Sequence, residues 1–336
     1  MVSMKATAIA NTNIALVKYW GKRNEELVLP YNSSISLTLN NLSTITTVEF
    51  SRNLPHNEFV INNRLLKERD NEYVRIENFA NIFKRLAGID YCFKVVSRTN
   101  FPIASGLASS ASAFAALTCA FNHALDLKLT KEELSSYARF GSGSASRSIF
   151  GGFVKWFKGE LDDGRDCFAK QLKDENHWPE LRLLICITSS REKPIKSREA
   201  MSRTVKTSEF YDAWLQTVDK DLELVEKSIE EKNLVLLGST AEKNAFKMHA
   251  TMITSIPPII YWNQTTLKII KSIIHLREEH KINAFITIDA GHQVKIICDE
   301  KDVDLIKNYL SEIKEIEEFI ESKAGSGVKI IDEHLF

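Results

Sequence analysis

The chain has 336 residues, of which 44% are hydrophobic and 26% charged, and its 44 Lys and Arg balance 44 Asp and Glu to a formal net charge of zero. This is the composition of an ordinary globular protein, and its neutrality offers no global attraction to nucleic acid or to an anionic membrane, so neither is an expected partner and any anion site must be local. The length admits a large core, as two fused lobes or one domain with a deep cleft.

Cys92, Cys119, Cys167, Cys186 and Cys298 form no CxxC pair and no metal-finger spacing, which fits buried thiols of a reducing compartment. The first ten residues lack the apolar core of a signal peptide, and no run approaches the ~20 apolar residues of a membrane span, so a cytoplasmic protein is expected. Residues 5–16 alternate small and apolar side chains as a strand that exits into Lys18, Tyr19, Trp20, Lys22 and Arg23. A turn there aims two ammonium groups into one cleft, or carries a solvated lysine pair beside an aromatic anchor. Ile35, Leu37 and Leu39 alternate with Ser36 and Thr38 as a half-buried strand, and residues 43–50 read as another. Ile76, Phe79, Phe83 and Leu86 fall at helical spacing ahead of Gly88 as C-cap, and residues 93–98 form the next strand.

That strand feeds residues 101–112, Phe-Pro-Ile-Ala-Ser-Gly-Leu-Ala-Ser-Ser-Ala-Ser, followed by an apolar helix with Phe114, Thr118, Phe121 and Leu125 on one stripe. Gly106 permits a tight turn, small residues let backbone approach a ligand, and a helix start offers unpaired N–H groups to an anion. The alternative is a serine-capped core helix. No lysine follows in the GxxxxGK[ST] manner. Thr130-Lys-Glu-Glu133 has capping-box form and opens another helix. Residues 139–153 then concentrate glycine, serine, Arg139 and Arg147 ahead of strands at 153–157 and 181–188; they read as an anion loop rather than a linker joining packed strands of one sheet.

Residues 202–232 carry Phe210, Trp214, Val218, Leu222 and Val225 at spacings of three or four, the stripe of one long helix. Helices at 233–252 and 265–280 follow, separated by Pro257 and Pro258, then strands at 284–288 and 294–298, a helix at 303–309 and a closing strand at 328–331. His249 has no second histidine at ligand spacing and is expected to be structural. Asp289, at a strand end, reads by itself as a turn residue.

Five segments occur in a telling order: Asn13-Ile-Ala-Leu-Val-Lys-Tyr-Trp-Gly-Lys-Arg23, Asn32-Ser-Ser-Ile-Ser-Leu-Thr-Leu39, Gly106-Leu-Ala-Ser-Ser-Ala-Ser112, Gly141-Ser-Gly-Ser-Ala-Ser-Arg-Ser148 and Ile288-Asp-Ala-Gly291. Together they resemble the diphosphomevalonate decarboxylases of the GHMP kinase superfamily. The resemblance implies an α+β protein, with an N-terminal ribosomal-protein-like lobe at 1–187, a ferredoxin-like lobe at 188–336 and the active site between them. It implies ATP-dependent conversion of mevalonate 5-diphosphate to isopentenyl diphosphate, with Mg2+, in a chain that is often a homodimer. A monophosphate decarboxylase, a 3-kinase of the same superfamily and a non-catalytic sensor are the alternatives.

The same resemblance assigns residues. Asp289 accepts or orients the proton of the 3-hydroxyl, Lys18 neighbours that carboxylate, and Arg147 grips the substrate carboxylate. Asn13, Tyr19, Trp20, Lys22, Ser142, Ser144, Ser197 and Arg198 fall on the substrate and its diphosphate. Gly106, Leu107, Ala108, Ser109, Ser110, Ala111 and Ser112 fall on the ATP phosphates, and no motif marks a metal ligand. Two departures stand out. His292 and Gln293 occupy positions where Pro-Asn is usual, so a looser turn with a titratable group beside the site is expected; Asn11 stands where proline is common, leaving an N–H to satisfy.

Overall fold

The structure is a computed structural model and describes residues 4–101, 109–188 and 195–336. Its first half holds β1 (Lys5–Val17), β2 (Lys22–Asn24), β3 (Leu29–Pro30), β4 (Ser34–Ser51), β5 (Glu58–Ile61), β6 (Arg64–Leu65), α1 (Asn71–Ala87), β7 (Cys92–Thr99), α2 (Ser109–Ala124), α3 (Lys131–Gly141), α4 (Ala145–Ser148), β8 (Phe153–Trp156) and β9 (Ala169–Lys173). The second half holds β10 (Leu181–Ile187), α5 (Ser197–Thr207), α6 (Tyr211–Glu231), α7 (Leu234–Ile253), α8 (Gln264–His280), β11 (Phe285–Ile288), β12 (Val294–Asp299), α9 (Val303–Leu310), β13 (Glu318–Ser322) and β14 (Lys329–Ile331).

Among the described residues the first sheet runs β14-β1-β4-β7-β5-β6, with β8 and β9 attached through β4, and the second runs β11-β12-β10-β13. Strands 34–39 and 43–50 are one continuous β4, paired antiparallel with β1 from Lys5 opposite Glu49 to Val17 opposite Ile35. Register shifts between Asn11 and Asn13 and between Ala15 and Val17 bend β1 as it nears Lys18, the usual use of an irregularity that re-aims side chains.

Local rules hold in several elements. Gly88 caps α1 with φ 66, donating to the carbonyls of Arg85 and Lys84, and Thr130 and Glu133 form the reciprocal capping box of α3. β8 and β10, the two strands that follow residues 139–153, lie in different sheets. One expectation about the helices fails. The long helix expected over 202–232 is two, because the Thr207 hydroxyl accepts the Ile256 N–H at 2.8 Å and the Ser208 hydroxyl pairs with that of Thr254 at 2.8 Å. Backbone groups of the adjoining loop thus find partners at the break, and Phe210 is 57% exposed rather than part of the stripe.

One apolar cluster fills the first lobe, with Phe59, Phe83, Phe93 and Phe121 at its centre. Another backs the second sheet against α8 and α9 through Ile269, Ile273, Ile286, Ile296 and Ile306. A third joins Ile14, Leu16 and Trp20 of the first half to Leu183, Trp214, Leu237 and Phe285 of the second. This shared core seals the lobes together along β1, so the end of β1 and the β11–β12 turn stand at their junction.

Candidate active site

The residues after β1 are held from both lobes. The Lys18 backbone N–H donates to Asn244 Oδ1 at 2.8 Å, Asn32 Nδ2 donates to the Lys18 carbonyl at 2.8 Å, and Asn244 Nδ2 donates to buried Asp221 at 2.7 Å. Gly21 turns the chain with φ +96, and any Cβ there would collide with the Tyr211 ring, whose hydroxyl donates to the Trp20 carbonyl at 2.8 Å. Asp289 follows β11, and the Gly291 N–H closes its turn on the Asp289 carbonyl at 2.7 Å.

Lys18 Nζ donates to Asp289 Oδ1 at 2.7 Å and to the Ala15 carbonyl at 2.8 Å. Lys295 Nζ lies 3.2 Å from Asp289 Oδ2, so two ammonium groups flank one carboxylate. Burial pushes the Asp289 carboxyl upward, but the charges of Lys18 and Lys295 outweigh it and hold the group well below the usual carboxylate range. Burial lowers Lys18 to about 8, against the opposing pull of Asp289. Arg147 is buried and lowered to about 10 by desolvation; it donates to Ser34 Oγ at 2.6 Å and Asn13 Oδ1 at 3.3 Å. Asn13 is itself oriented by donating to the Ser144 carbonyl at 3.0 Å and Ser148 Oγ at 2.8 Å.

Lys18, Arg147 and Asp289 open into one cleft of about 890 Å³, also lined by Asn13, Tyr19, Trp20, Lys22, Ser109, Ser110, Ser142, Ser144, Ser197 and Arg198. Tyr19 packs edge-on against Trp156 with centroids 4.9 Å apart; burial raises its phenol above the ordinary range, and its buried hydroxyl has no hydrogen-bond partner among the described residues. Ser110, Ser142 and Ser144 form a row of hydroxyls at successive 3.2 Å separations.

At the cationic end Arg75 and Arg198 both donate to the Gly141 carbonyl, and Lys22 is paired with Glu25. Burial lowers Arg75 to about 10, with the neighbouring Arg198 charge adding to the effect. Lys22 is likewise lowered by burial, with Arg198 and Arg75 contributing. Cations gathered in this way favour a polyanionic ligand.

Gly106, Leu107 and Ala108 lie outside the described residues. Ser109 and Ser110 begin α2 at the cleft wall, whereas Ala111 is buried and Ser112 turns into the core to bond Thr44 Oγ1 at 2.7 Å, so neither of these side chains lines the cleft. The altered turn is not loose. Gln293 is buried and accepts the Thr188 N–H at 2.8 Å and its hydroxyl at 3.2 Å, and the His292 carbonyl accepts from Thr266 at 2.8 Å. His292 is buried and does not line the cleft. Asn11 uses its side chain to donate to the Ser326 carbonyl at 3.0 Å. His249, buried against Trp262, contacts the Asp289 carbonyl at 3.2 Å and is lowered by burial to about 3, so it supports the turn as a neutral ring.

Sequence reasoning missed Arg75 and Lys295. Arg75 is separated from the other site residues in sequence and sits on an ordinary amphipathic helix. Lys295 did carry a signal, because a lysine flanked by apolar residues in a doubly covered strand needs a buried anion.

Residues 10–169 match the family model for a diphosphomevalonate decarboxylase-like N-terminal domain, and residues 183–333 match that for a mevalonate 5-diphosphate decarboxylase C-terminal domain. The diphosphomevalonate decarboxylase of Candida albicans is 37% identical over 318 residues, covering 91% of this chain and 87% of the relative. The solved mevalonate diphosphate decarboxylase of Staphylococcus aureus superposes with a TM-score of 0.93 at 38% identity over 99% of both chains. A second solved enzyme, MDDEF in complex with MVAPP, AMPPCP and magnesium, gives 0.90 at 40% identity over 98% of this chain and 99% of its own. The mixed α+β architecture is therefore the GHMP-type fold of these enzymes. With sequence, both domain matches and three-dimensional structure in agreement over nearly its whole length, the chain belongs to the diphosphomevalonate decarboxylase family.

Proposed function

We propose that this protein converts mevalonate 5-diphosphate and ATP to isopentenyl diphosphate, CO2, ADP and phosphate. The observation that carries this reading is the convergence of Asp289, Lys18 and Arg147 on a cleft whose other end is cationic. In the proposed mechanism the substrate diphosphate lies toward Tyr19, Lys22, Ser142, Ser144, Ser197 and Arg198, with Trp20 and Asn13 forming the adjoining wall. The Arg147 guanidinium grips the carboxylate through parallel hydrogen bonds and so fixes the direction in which CO2 departs. Ser109 and Ser110 face the ATP phosphates.

Asp289 orients the tertiary 3-hydroxyl toward the γ-phosphorus. A carboxylate held this strongly ionised stores a proton poorly, so its contribution is alignment, and the hydroxyl proton passes to the phosphoryl oxygens as the new P–O bond forms and ADP leaves. The C3–O bond then breaks with loss of phosphate, while the electrons of the C1–C2 bond become the C2=C3 alkene and C1 leaves as CO2. Lys18 offsets negative charge building beside the phosphoryl group.

The row Ser110, Ser142 and Ser144 supplies hard oxygen donors beside the start of α2. This suits Mg2+ carried by phosphate oxygens, hydroxyls and water. When bound, Mg2+ neutralises the phosphate charge. We further read the protein as a cytoplasmic enzyme and as a homodimer, the latter testable by sedimentation; no described helix is long and apolar enough to cross a membrane.

The test supplies carboxyl-labelled mevalonate 5-diphosphate and, in parallel, the labelled 5-monophosphate, each with ATP and Mg2+, following CO2 and ADP together. Equal release is expected. ADP without CO2 converts the reading to a 3-kinase, turnover confined to the monophosphate converts it to a monophosphate decarboxylase, and neither product leaves a sensor.

A further inference from the structure

Asp289 is held asymmetrically. Its Oδ2 is buried and faces Lys295 Nζ at 3.2 Å, whereas its Oδ1 meets Lys18 at 2.7 Å at the cleft wall, and the side chain as a whole remains 23% exposed. Lys295 is itself completely buried on β12, opposite Thr287 of β11 and Ile185 of β10, so it reaches the carboxylate from inside the sheet and not from the cleft. It does not line the cleft.

We propose that Lys295 is a positioning residue for the reaction: by pairing with the inward oxygen of Asp289 it fixes the carboxylate's rotation, so that Oδ1 is presented to the substrate hydroxyl. The inference rests on the functional reading above. A carboxylate tethered at one oxygen by Lys18 alone is free to swing about its Cβ–Cγ bond and present either oxygen. A second tether behind it removes that freedom before substrate arrives, which is how positioned groups contribute to rate. The charged and titratable groups around Asp289 are Lys18 after β1, Arg147 on α4, Lys295 on β12, His249 on α7 and His292 in its own turn.

Replacing Lys295 by a neutral side chain has a distinctive signature. Removing a cation makes protonation of Asp289 easier and relieves repulsion on Lys18, so the acid and basic limbs of the pH profile both move to higher pH. A role confined to packing lowers activity without moving either limb. The experiment compares full-length wild type with Lys295→Met and the nearly isosteric Lys295→Gln, after circular dichroism has established folding. The measurements are kcat, KM for both substrates, and kcat/KM against pH. Expected are a fall in kcat of roughly tenfold or more, KM changed by less than about threefold, and an upward movement of both limbs by roughly one pH unit. An unmoved profile or an unchanged kcat overturns the proposal.

A readout independent of turnover is the carboxyl 13C resonance of Asp289, assigned by its loss in Asp289→Asn. In the variants it must titrate at higher pH than in wild type; coincident titrations overturn the proposal even if activity is low. If neither neutral variant folds, the same resonance in Lys295→Arg decides, since a retained cation must keep it near its wild-type position. Wild-type release of CO2 is measured first, so failure of the functional reading is seen before any variant is compared.

Discussion

Raising the pH through the titration of Lys18 is the most direct test of the site's electrostatics. Lys18 is buried, and desolvation brings its ammonium from 10.5 down to about 8 although Asp289 pulls the other way. At 1.36 kcal/mol per pH unit, that depression corresponds to about 3 kcal/mol of cost carried by the folded protein while Lys18 is charged. The sign is fixed by linkage. Between about 8 and 10.5 the folded protein has released a proton that the unfolded chain still holds, so this group's contribution to stability improves as pH rises through that window, and its cost is fully present below it. On the proposed mechanism catalysis runs the opposite way, because the neutral amine no longer offsets phosphoryl charge. The profile of kcat/KM reports the free protein and should fall above about pH 8, reaching roughly a tenth of its plateau one unit higher. The Lys18→Met variant should show a low activity with no such limb. In urea unfolding from about pH 8 to 10.5, wild type should gain about 3 kcal/mol relative to that variant. A kcat/KM that stays flat beyond roughly pH 9.5, together with parallel stability curves, refutes a buried, charge-bearing Lys18.

Three further outcomes follow from the same geometry. Asp289→Asn should retain less than roughly a tenth of turnover while binding ATP nearly as wild type does, as measured by calorimetry; higher turnover removes Asp289 from its role. Arg147→Lys keeps a charge but loses the planar fork, so CO2 release should fall roughly a hundredfold, and a change under about threefold argues against a carboxylate clamp. A Cβ on Gly143 would stand 2.7 Å from the Tyr19 ring and 2.9 Å from Trp156, so Gly143→Ala should displace Tyr19 and raise KM for the diphosphate substrate several-fold; an unchanged KM excludes that contact from substrate binding.

Much of the fold was legible because local rules and tertiary demands agree. The Thr130 box and the Gly88 cap each act over a few residues, and the structure keeps them; the alternation of Ile35, Leu37 and Leu39 does lie on a strand, but Ser36 and Thr38 are buried too, so that strand is covered on both faces rather than half-buried. The break at Ser208 was illegible, since it depends on hydroxyl contacts with Thr254 and Ile256 some forty-five residues onward. The helical spacing of Phe210 with Trp214 is satisfied in sequence, yet nothing in that spacing says where the partner loop will dock.

The candidate site divides in the same way. The resemblance carried by five ordered motifs singled out Lys18, Arg147 and Asp289, whereas by residue type alone Asp289 reads as a turn residue and Lys18 as one of a solvated lysine pair. Folding decided the rest: that Lys295 stands behind Asp289, that Arg75 and Arg198 meet on one carbonyl, and that Gln293 secures the turn lacking proline. Those relations join residues on separate elements. A linear pattern records what each side chain can do, but burial and distance, which set its charge and its partners, exist only once the two lobes have closed on their shared core.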